Sequence, residues 1–399
     1  MPSRLKPQPR LARLAAYPFV RLQALLADLR PAEQLAPIDA GAGEPRLPPA
    51  GFLRDALCES LDGFCRYPPT RGTGELRRAV ADWVARRYPG VRLDPDRQVL
   101  SANGTREALF AVAHAAVDPD ADPPPYVLLP DPMYQIYLGA AVTAGAIPYP
   151  VAATAATGFL PDWRSVPEQV WARTALLYCC SPSNPTGRVM GLDDYRWLIE
   201  QARCHDFLLV ADECYSEIYY GHPPAGLLQA AVAAGCDDFH NCLVCNSLSK
   251  RSGLPGLRSG FIAGDEAWID RFASLRSYTG PATPLPLQHV AAVAWRDEEH
   301  VAQARECYRA SLDAFHRTLG VGEPAPGGFF AWLPVSDDEA FARAAWREAA
   351  VRLLPGSYLG TADAEGVNPG AGFVRVALVD GVDRAEELGR RLARLLEST

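Results

Sequence analysis

The sequence predicts an α/β protein with a large domain, built on a mostly parallel central sheet sandwiched by helices, and a small α+β domain. Short apolar runs alternate with helical patterns over residues 51–294, and from Glu298 a long helix leads into mixed elements. The 399 residues also exceed what one hydrophobic core usually supports. We expect an N-terminal arm and part of the small domain in residues 1–50, the large domain in 51–295 and the C-terminal small domain in 296–399.

Six short apolar runs are the predicted strands of the large domain. Each is four to six residues long, which suits strands buried on both faces of a parallel sheet. They are residues 98–101, 126–129, 175–180, 207–211, 242–246 and 260–263.

Three segments are the most clearly predicted helices. Residues 107–117 follow the turn at Asn103–Gly104, and residues 301–319 lead into the small domain. Near the N-terminus an arm is followed by an amphipathic helix carrying Leu22, Leu25, Leu26 and Leu29.

Composition and charge exclude several classes of protein. Hydrophobic residues make up 48% and charged residues 22%, a globular balance that argues against disorder. The net charge of -8 arises from scattered charges without a basic tract, so we expect neither a nucleic-acid partner nor a membrane one. The apolar runs are too short to span a bilayer, and the basic N-terminus (Arg4, Lys6, Arg10, Arg13) lacks the apolar core of a signal peptide.

The ten cysteines are irregularly spaced, which indicates reduced thiols in the cytoplasm rather than a disulfide scaffold. One cluster contains a C-x-x-C and could suggest zinc: Cys236, His240, Cys242 and Cys245. In a strand, however, the spacing of Cys242 and Cys245 puts the two thiols on opposite faces. No second C-x-x-C exists, so we expect no metal site.

The most informative stretch is Asn246-Ser-Leu-Ser-Lys-Arg-Ser-Gly-Leu-Pro-Gly-Leu-Arg-Ser-Gly. A strand runs into Ser247, and Lys250 is followed by a glycine-rich turn and Arg258. A lysine in a partly desolvated pocket can deprotonate and form a Schiff base with an aldehyde. The hydroxyls and the arginine supply donors for a phosphate dianion. Alone, Lys250 would more often be a solvated lysine; the complete pattern favours the chemical interpretation.

Two further motifs follow predicted strands. In Ala211-Asp-Glu-Cys-Tyr, Asp212 can hold a pyridinium nitrogen protonated, and Tyr215 lies three residues on. In Ser181-Pro-Ser-Asn-Pro-Thr-Gly, two prolines fix a turn that directs Asn184 at the carboxyl edge of the sheet. In isolation each could be an ordinary turn after a strand.

A fourth motif, Asn103-Gly-Thr-Arg-Glu, marks the transition from a strand to a helix. Backbone N–H groups at a helix N-terminus bind phosphate, and Gly104 permits close approach. Helix capping alone would also explain this pattern.

These four motifs, in this order, resemble the class I/II aminotransferases of fold type I, which depend on pyridoxal 5'-phosphate, over essentially the whole chain. The resemblance implies that Lys250 is the Schiff-base lysine and moves the substrate proton. It implies that Asp212 pairs with the pyridine nitrogen, that Asn184 and Tyr215 hold the phenolic oxygen, and that Tyr134 stacks on the ring. The residues it places around the phosphate are Gly104, Thr105, Arg106, Ser247 and Arg258.

The same resemblance implies a homodimer with shared active sites, in which Tyr67 reaches the phosphate of the partner subunit. Arg375 would clamp the substrate α-carboxylate as a bidentate fork, with Gly43 beside it. Ser249 is assigned to packing rather than to the cofactor.

A narrower resemblance concerns the substrate. The stretches Asp131-Pro-Met-Tyr-Gln-Ile-Tyr-Leu-Gly-Ala, Ser247-Leu-Ser-Lys-Arg-Ser and Leu354-Pro-Gly-Ser-Tyr-Leu-Gly, with Tyr17-Pro-Phe, are similar to the N-succinyl-diaminopimelate aminotransferases of bacterial lysine biosynthesis. This implies an N-succinylated LL-diaminopimelate as amino donor and 2-oxoglutarate as acceptor. Residues 277–288 contain no Lys or Arg to hold a distal carboxylate. The candidates for that cation are Arg46, Arg71, Arg251 and Arg276.

Other functions stay open at this point. Acetylornithine or another amino acid is the alternative donor, and a lyase or synthase is the alternative with the same cofactor, since a fold does not decide which bond to Cα breaks. A regulator that binds the cofactor would need a DNA-binding module, and residues 1–31 are too short for one. The leading interpretation is a transaminase with ping-pong kinetics.

Overall fold

The computed structural model describes residues 8–280 and 282–398, so Arg4 and Lys6 of the basic N-terminus lie outside the described residues. The strands are β1 (Ile38–Asp39), β2 (Val99–Ala102), β3 (Tyr126–Asp131), β4 (Ile147–Ala152), β5 (Thr174–Cys180), β6 (Leu208–Asp212), β7 (Cys242–Ser247), β8 (Gly260–Gly264), β9 (Phe330–Pro334), β10 (Val351–Arg352), β11 (Leu354–Pro355) and β12 (Phe373–Ala377). The α-helices are α1 (Pro18–Leu25), α2 (Gly51–Glu59), α3 (Gly74–Arg87), α4 (Thr105–Ala116), α5 (Ile136–Ala144), α6 (Glu168–Trp171), α7 (Leu192–His205), α8 (Leu227–Ala233), α9 (Leu248–Arg251), α10 (Glu266–Thr279), α11 (Leu285–Arg296), α12 (Glu299–Leu319), α13 (Asp338–Ala349) and α14 (Val382–Ser398).

The large sheet has seven strands in the order β2-β8-β7-β6-β5-β3-β4. The pairs from β7 to β4 are parallel, whereas β8 runs antiparallel to both β7 and β2. The predicted α/β fold with a mostly parallel central sheet is therefore confirmed. All six predicted strands exist, with ends that differ by one or two residues.

The two faces of this sheet are covered by separate hydrophobic cores. Alternate residues of each strand belong to different cores: Leu209 and Cys242 lie in one, and Leu208 and Cys245 lie in the other. The period of two follows from the pleat, which points successive side chains to opposite faces. The predicted separation of Cys242 and Cys245 is therefore found, and helices cover both thiols.

The edge strand β4 was not predicted from the sequence. It contains Pro148 and Pro150, which lack the N–H group that a central strand needs. Ile147 donates its N–H to Pro125 O on the β3 side, at 2.9 Å. Alternation along the strand then directs both proline nitrogens to the open edge, where no donor is required.

A three-stranded antiparallel sheet in the order β11-β12-β9 forms near the C-terminus. The short parallel pair β1–β10 joins the N-terminal segment to it, with Ile38 opposite Val351. A third hydrophobic core lies between this sheet and helices α12, α13 and α14. The boundaries at residues 50/51 and 295/296 stay a prediction.

The N-terminal helix α1 packs on this C-terminal part of the chain. Its residue Leu22 and the following Leu26 are buried against Leu354, Tyr358 and Leu359. The described residues contain no helix that is long and apolar enough to cross a membrane.

Candidate active site

The motifs found in the sequence converge at one edge of the large sheet. Strands β2, β3, β5, β6 and β7 all point the same way, so their carboxyl ends meet at this edge. A cavity of about 550 Å³ opens there. The predicted site residues that line it are Gly43, Thr105, Arg106, Tyr134, Asn184, Asp212, Tyr215, Lys250, Arg258 and Arg375.

Lys250 lies on the short helix α9, directly after β7. Its ammonium group donates a hydrogen bond to Gly43 O and lies 5.5 Å from the centroid of the Phe329 ring. Burial lowers the pKa of Lys250 to about 8, and the positive charge of Arg375 acts in the same direction. A sizeable fraction of this amine is therefore neutral near pH 8, as a nucleophile or a base requires.

Asp212 ends β6 with both carboxylate oxygens engaged. Tyr137 Oη donates to Oδ2 at 2.7 Å, and the Cys214 N–H donates to Oδ1 at 3.1 Å. Burial nevertheless raises the pKa of Asp212, because these neutral donors do not replace a cation. Asp212 forms no ion pair with the residues that the structure describes. The carboxylate is thus oriented for a positively charged group of a ligand.

Arg375 lies in the middle of β12, and its guanidinium is buried. It donates to Asn184 Oδ1 at 2.9 Å and to Gly41 O at 2.8 Å, and it lies 4.4 Å from the centroid of the Phe330 ring. Burial lowers the pKa of Arg375 to about 10, so it remains charged at neutral pH. Its Nε has no hydrogen-bond partner among the described residues. A carboxylate facing this edge would satisfy that orphaned donor.

Tyr215 faces the cavity beside Arg375. Its ring packs edge-on against Phe329 and Phe330, at centroid distances of 5.5 and 5.8 Å. Burial raises the pKa of Tyr215 well above its ordinary value. The phenol is therefore protonated at neutral pH and can donate to an oxygen of a ligand.

Another part of the cavity is lined by the N-terminus of α4 and by Arg258. Gly104 has φ of 81° and caps α4, whose first residue is Thr105. Arg258 donates to Asn103 O and to Pro255 O, both at 2.8 Å. A Cβ at position 104 would lie 2.8 Å from the Arg258 guanidinium, so only glycine leaves this space open. Helix N–H groups and a guanidinium at one place suit a phosphate.

Two serines near Lys250 lie in positions that the sequence did not indicate. Ser247 is fully buried behind the cavity, where its hydroxyl accepts from the Ser249 N–H and donates to Ser259 O at 3.0 Å. Ser249, which we had assigned to packing, lines the cavity. In this chain the Ser247 side chain caps α9, and Ser249 presents the accessible hydroxyl. The assignment of Ser247 to the phosphate stays a prediction.

Tyr67 does not line the cavity of its own chain. Its side chain is 99% exposed. The prediction that it acts in a partner's site is untested by a single chain.

The charges in the cavity fit pyridoxal phosphate and an acidic substrate. Four cationic side chains (Lys250, Arg106, Arg258, Arg375) face two carboxylates (Glu44, Asp212). Within the described part of the chain, none of the three arginines forms an ion pair. The buried carboxylate of Asp212 suits a protonated ring nitrogen, the α4 N-terminus suits a phosphate, and Lys250 suits an aldehyde.

The four arginines proposed for a distal carboxylate lie outside the cavity. Arg251 is buried and pairs with Glu298 at 2.6 Å, and Arg276 pairs with Glu107 at 2.9 Å. Arg46 pairs with Asp380 at 2.8 Å, and Arg71 pairs with Asp270. Each has a structural partner in its own chain, and none of the four lines this cavity.

Several lining residues were missed by the sequence analysis. Tyr17, Glu44, Cys214 and Phe330 all face the cavity. Tyr17 had been noted only as part of Tyr17-Pro-Phe, and Glu44 follows the predicted Gly43. The remaining two carry no chemical pattern of their own.

Comparison with known proteins supports one family. The family aminotransferase class I and II matches residues 38–387. A curated LL-diaminopimelate aminotransferase from Desulforudis audaxviator is 33% identical, covering 96% of both chains. The crystal structure of an aminotransferase from Neisseria meningitidis is 38% identical, with a TM-score of 0.92 over 97% of this chain and 99% of that one. A structure of a "probable N-succinyldiaminopimelate aminotransferase" from Thermus thermophilus is 26% identical, with a TM-score of 0.82 over 94% of this chain and 99% of that one.

Proposed function

The chain belongs to the class I and II aminotransferases, and from that premise we propose that it transfers the amino group of N-succinyl-LL-2,6-diaminopimelate to 2-oxoglutarate. It is a transaminase that depends on pyridoxal phosphate. The observation that carries the choice of substrate is the excess of cationic side chains in the cavity.

Pyridoxal phosphate, when bound, supplies an aldehyde that condenses with amines and a ring that draws electrons from the carbon bearing the amino group. Lys250 is the base that would take the proton from that carbon and deliver it to the aldehyde-derived carbon within the same half-reaction; the second half-reaction would run this transfer in the opposite direction. The charge of Asp212 would keep the ring nitrogen protonated. Tyr215 and Asn184 would donate to the phenolic oxygen, and Tyr134 would cover one face of the ring.

Arg375 holds the α-carboxylate of both substrates. The two half-reactions use one site, so the amino donor and 2-oxoglutarate present the same group to the same fork. Asn184 already accepts from one terminal nitrogen of Arg375, which fixes the plane of the guanidinium. The substrate carbon is thereby positioned next to Lys250.

The distal end of the substrate decides between the donors. Besides the reacting amino group and its α-carboxylate, N-succinyl-LL-diaminopimelate carries two distal carboxylates and no second ammonium, and 2-oxoglutarate carries one distal carboxylate. Acetylornithine reacts through its δ-amino group, so it has a single carboxylate at the distal end and none beside the reacting carbon for Arg375. Arg258 serves the phosphate and Arg375 the α-carboxylate, which leaves Arg106 as a third arginine on the cavity wall. An unpaired cation favours a donor with distal negative charge.

LL-diaminopimelate itself is the second candidate. It shares the carbon skeleton, and the name of the curated relative that is 33% identical favours it. Its distal end is zwitterionic and would need a carboxylate as well as a cation. Glu44 is the acidic group of the cavity besides Asp212.

A homodimer with shared sites is part of this proposal. The large apolar or aromatic residues that are exposed in the single chain include Leu61, Phe64, Tyr67 and Tyr278. They come from two segments that meet where Arg276 donates to Thr70 O at 3.1 Å. An exposed apolar patch of this kind suits contact with a second copy, with Tyr67 reaching the partner's phosphate.

A panel of amino donors against 2-oxoglutarate tests the function, with glutamate formation as the readout. The expected order of kcat/KM is N-succinyl-LL-diaminopimelate first, LL-diaminopimelate second and acetylornithine last. Each lost charged hydrogen bond costs about 1.5–3 kcal/mol, so acetylornithine should be at least about tenfold poorer. A higher kcat/KM with LL-diaminopimelate would select the second candidate, and equal efficiency with acetylornithine would refute both.

A further inference from the structure

The side chain of Arg106 contacts two phenols that line the cavity. Its Nε donates to Tyr134 Oη at 2.8 Å, and one terminal nitrogen donates to Tyr17 Oη at 3.2 Å. The guanidinium carbon lies 5.9 Å from the centroid of the Tyr134 ring and 5.7 Å from that of the Tyr17 ring. Arg258 instead occupies the space beside Gly104. The backbone of Arg106 therefore belongs to the helix N-terminus, while its side chain belongs to the cavity wall formed by two phenols.

Tyr17 shares the cavity with both Arg106 and Arg375. Its hydroxyl accepts from Arg106 at 3.2 Å. The segment that carries Tyr17 packs on the C-terminal part of the chain, where Arg21 lies 3.7 Å from the centroid of the Tyr358 ring. Arg106, Tyr17 and the α-carboxylate site at Arg375 thus line one cavity.

Arg106 also has unused binding capacity. Its second terminal nitrogen has no hydrogen-bond partner among the described residues, and no carboxylate of the described chain pairs with it. The two phenols accept from Arg106 and keep their own O–H groups for donation. One cation and two hydroxyl donors directed at one place match a carboxylate.

We propose that Arg106, Tyr17 and Tyr134 form the binding site for the distal carboxylate of the substrate. This inference rests on the proposed function, since a donor with only one carboxylate would not need it. The site replaces the four arginines that are paired elsewhere. It also serves both half-reactions, because 2-oxoglutarate presents a second carboxylate at a shorter distance and the long arginine side chain can follow it.

The test uses unreactive ligands of matched length and the holoenzyme. Pimelate has two carboxylates, and heptanoate has the same chain with one. Dissociation constants are measured by titration calorimetry for the wild type, Arg106→Met and Arg106→Lys. The matched control is Arg309→Met, which removes an exposed arginine of α12 that pairs with Glu306.

The wild type should bind pimelate about tenfold more tightly than heptanoate, the effect of one charged hydrogen bond reduced by solvent exposure. Arg106→Met should lose about that factor for pimelate and leave heptanoate within about twofold. Arg106→Lys should lose less affinity for pimelate than Arg106→Met, and Tyr17→Phe should also weaken the binding of pimelate. Arg309→Met should leave the dissociation constants of both ligands unchanged. The dissociation constant of pyridoxal phosphate should not change in any variant.

Three results would overturn this assignment: no wild-type preference for pimelate, equal loss for both ligands in Arg106→Met, or weakened binding of pyridoxal phosphate in that variant. The last would return the side chain to the phosphate. The amino-donor panel tests the proposed substrate, and its outcome does not depend on the outcome of these titrations. A preference for pimelate that depends on Arg106, together with poor turnover of both diaminopimelate donors, would refute the proposed substrate alone.

Discussion

Replacement of Arg375 by methionine should remove recognition of the α-carboxylate while retaining apolar volume. The guanidinium is held by Asn184 and Gly41, and its buried Nε has no partner among the described residues. A carboxylate bound by the fork gains two charged hydrogen bonds of about 1.5–3 kcal/mol each. The loss is therefore about 3–6 kcal/mol, and kcat/KM for an α-amino acid should fall roughly 10²- to 10⁴-fold.

The assay compares glutamate with 4-aminobutyrate, which has the same skeleton without the α-carboxylate. The wild type should strongly prefer glutamate, and Arg375→Met should erase that preference without improving 4-aminobutyrate. Arg375→Lys should fall between the two enzymes, because it retains the charge and loses the planar fork.

Arg391→Met is the matched control for stability. Arg391 is also a buried arginine, and it donates to Ala36 O and Ala349 O, each at 2.9 Å, outside the cavity. This variant should lower Tm and leave the ratio between the two substrates unchanged. If Arg375→Met kept its kcat/KM for glutamate within about tenfold and retained the preference, the assignment of the fork would be refuted.

The other expectations concern Lys250, Asp212 and Tyr67. In cofactor-free protein the rate of Lys250 acylation should rise with pH and reach its midpoint near pH 8, because burial lowers the pKa of Lys250 to about 8. Arg375→Met should move this midpoint to higher pH, since the charge of Arg375 also lowers the pKa. A midpoint above pH 10 in the wild type would contradict the expectation. Asp212→Asn should retain cofactor but lose about tenfold to a hundredfold in kcat, through one charged interaction. Because burial raises the pKa of Asp212, its charged form destabilises the cofactor-free fold. Asp212→Asn should therefore raise the Tm of cofactor-free protein at pH 7 and leave it unchanged near pH 4. The same Tm difference between variant and wild type at both pH values would count against this expectation. Mixing Tyr67→Phe with Lys250→Ala should restore activity above that of Tyr67→Phe alone, as one site in each heterodimer has neither defect; no gain on mixing would reject the shared site.

Much of the fold was predictable because local patterns and tertiary structure agree. Apart from β4, the strands of the central sheet consist largely of apolar residues, since both of their faces are buried. The edge strand β4 escaped prediction because Pro148 and Pro150 argue against a strand unless its outer side is known to be unpaired.

The site was predictable to the extent that its residues follow strand ends. A motif that follows a strand has its backbone at the end of that strand, but this position does not determine the direction of a long side chain. Thus Ser247 and Ser249 could not be separated from sequence, and Arg251 and Arg276 appeared available although each is buried in an ion pair. The contact of Tyr17 with Arg106 joins residues 89 positions apart, which no local pattern predicts.

The central claim is that Lys250 is the covalent attachment point of pyridoxal phosphate. The chain contains two lysines, Lys6 and Lys250, so a single experiment separates the possibilities. Borohydride reduction of the holoenzyme followed by peptide mapping should place the added mass on the peptide that contains Lys250. The Lys250→Ala variant should remain unlabelled there and be inactive. Label on Lys6 or on the N-terminal amine, with Lys250 unmodified, would contradict the account.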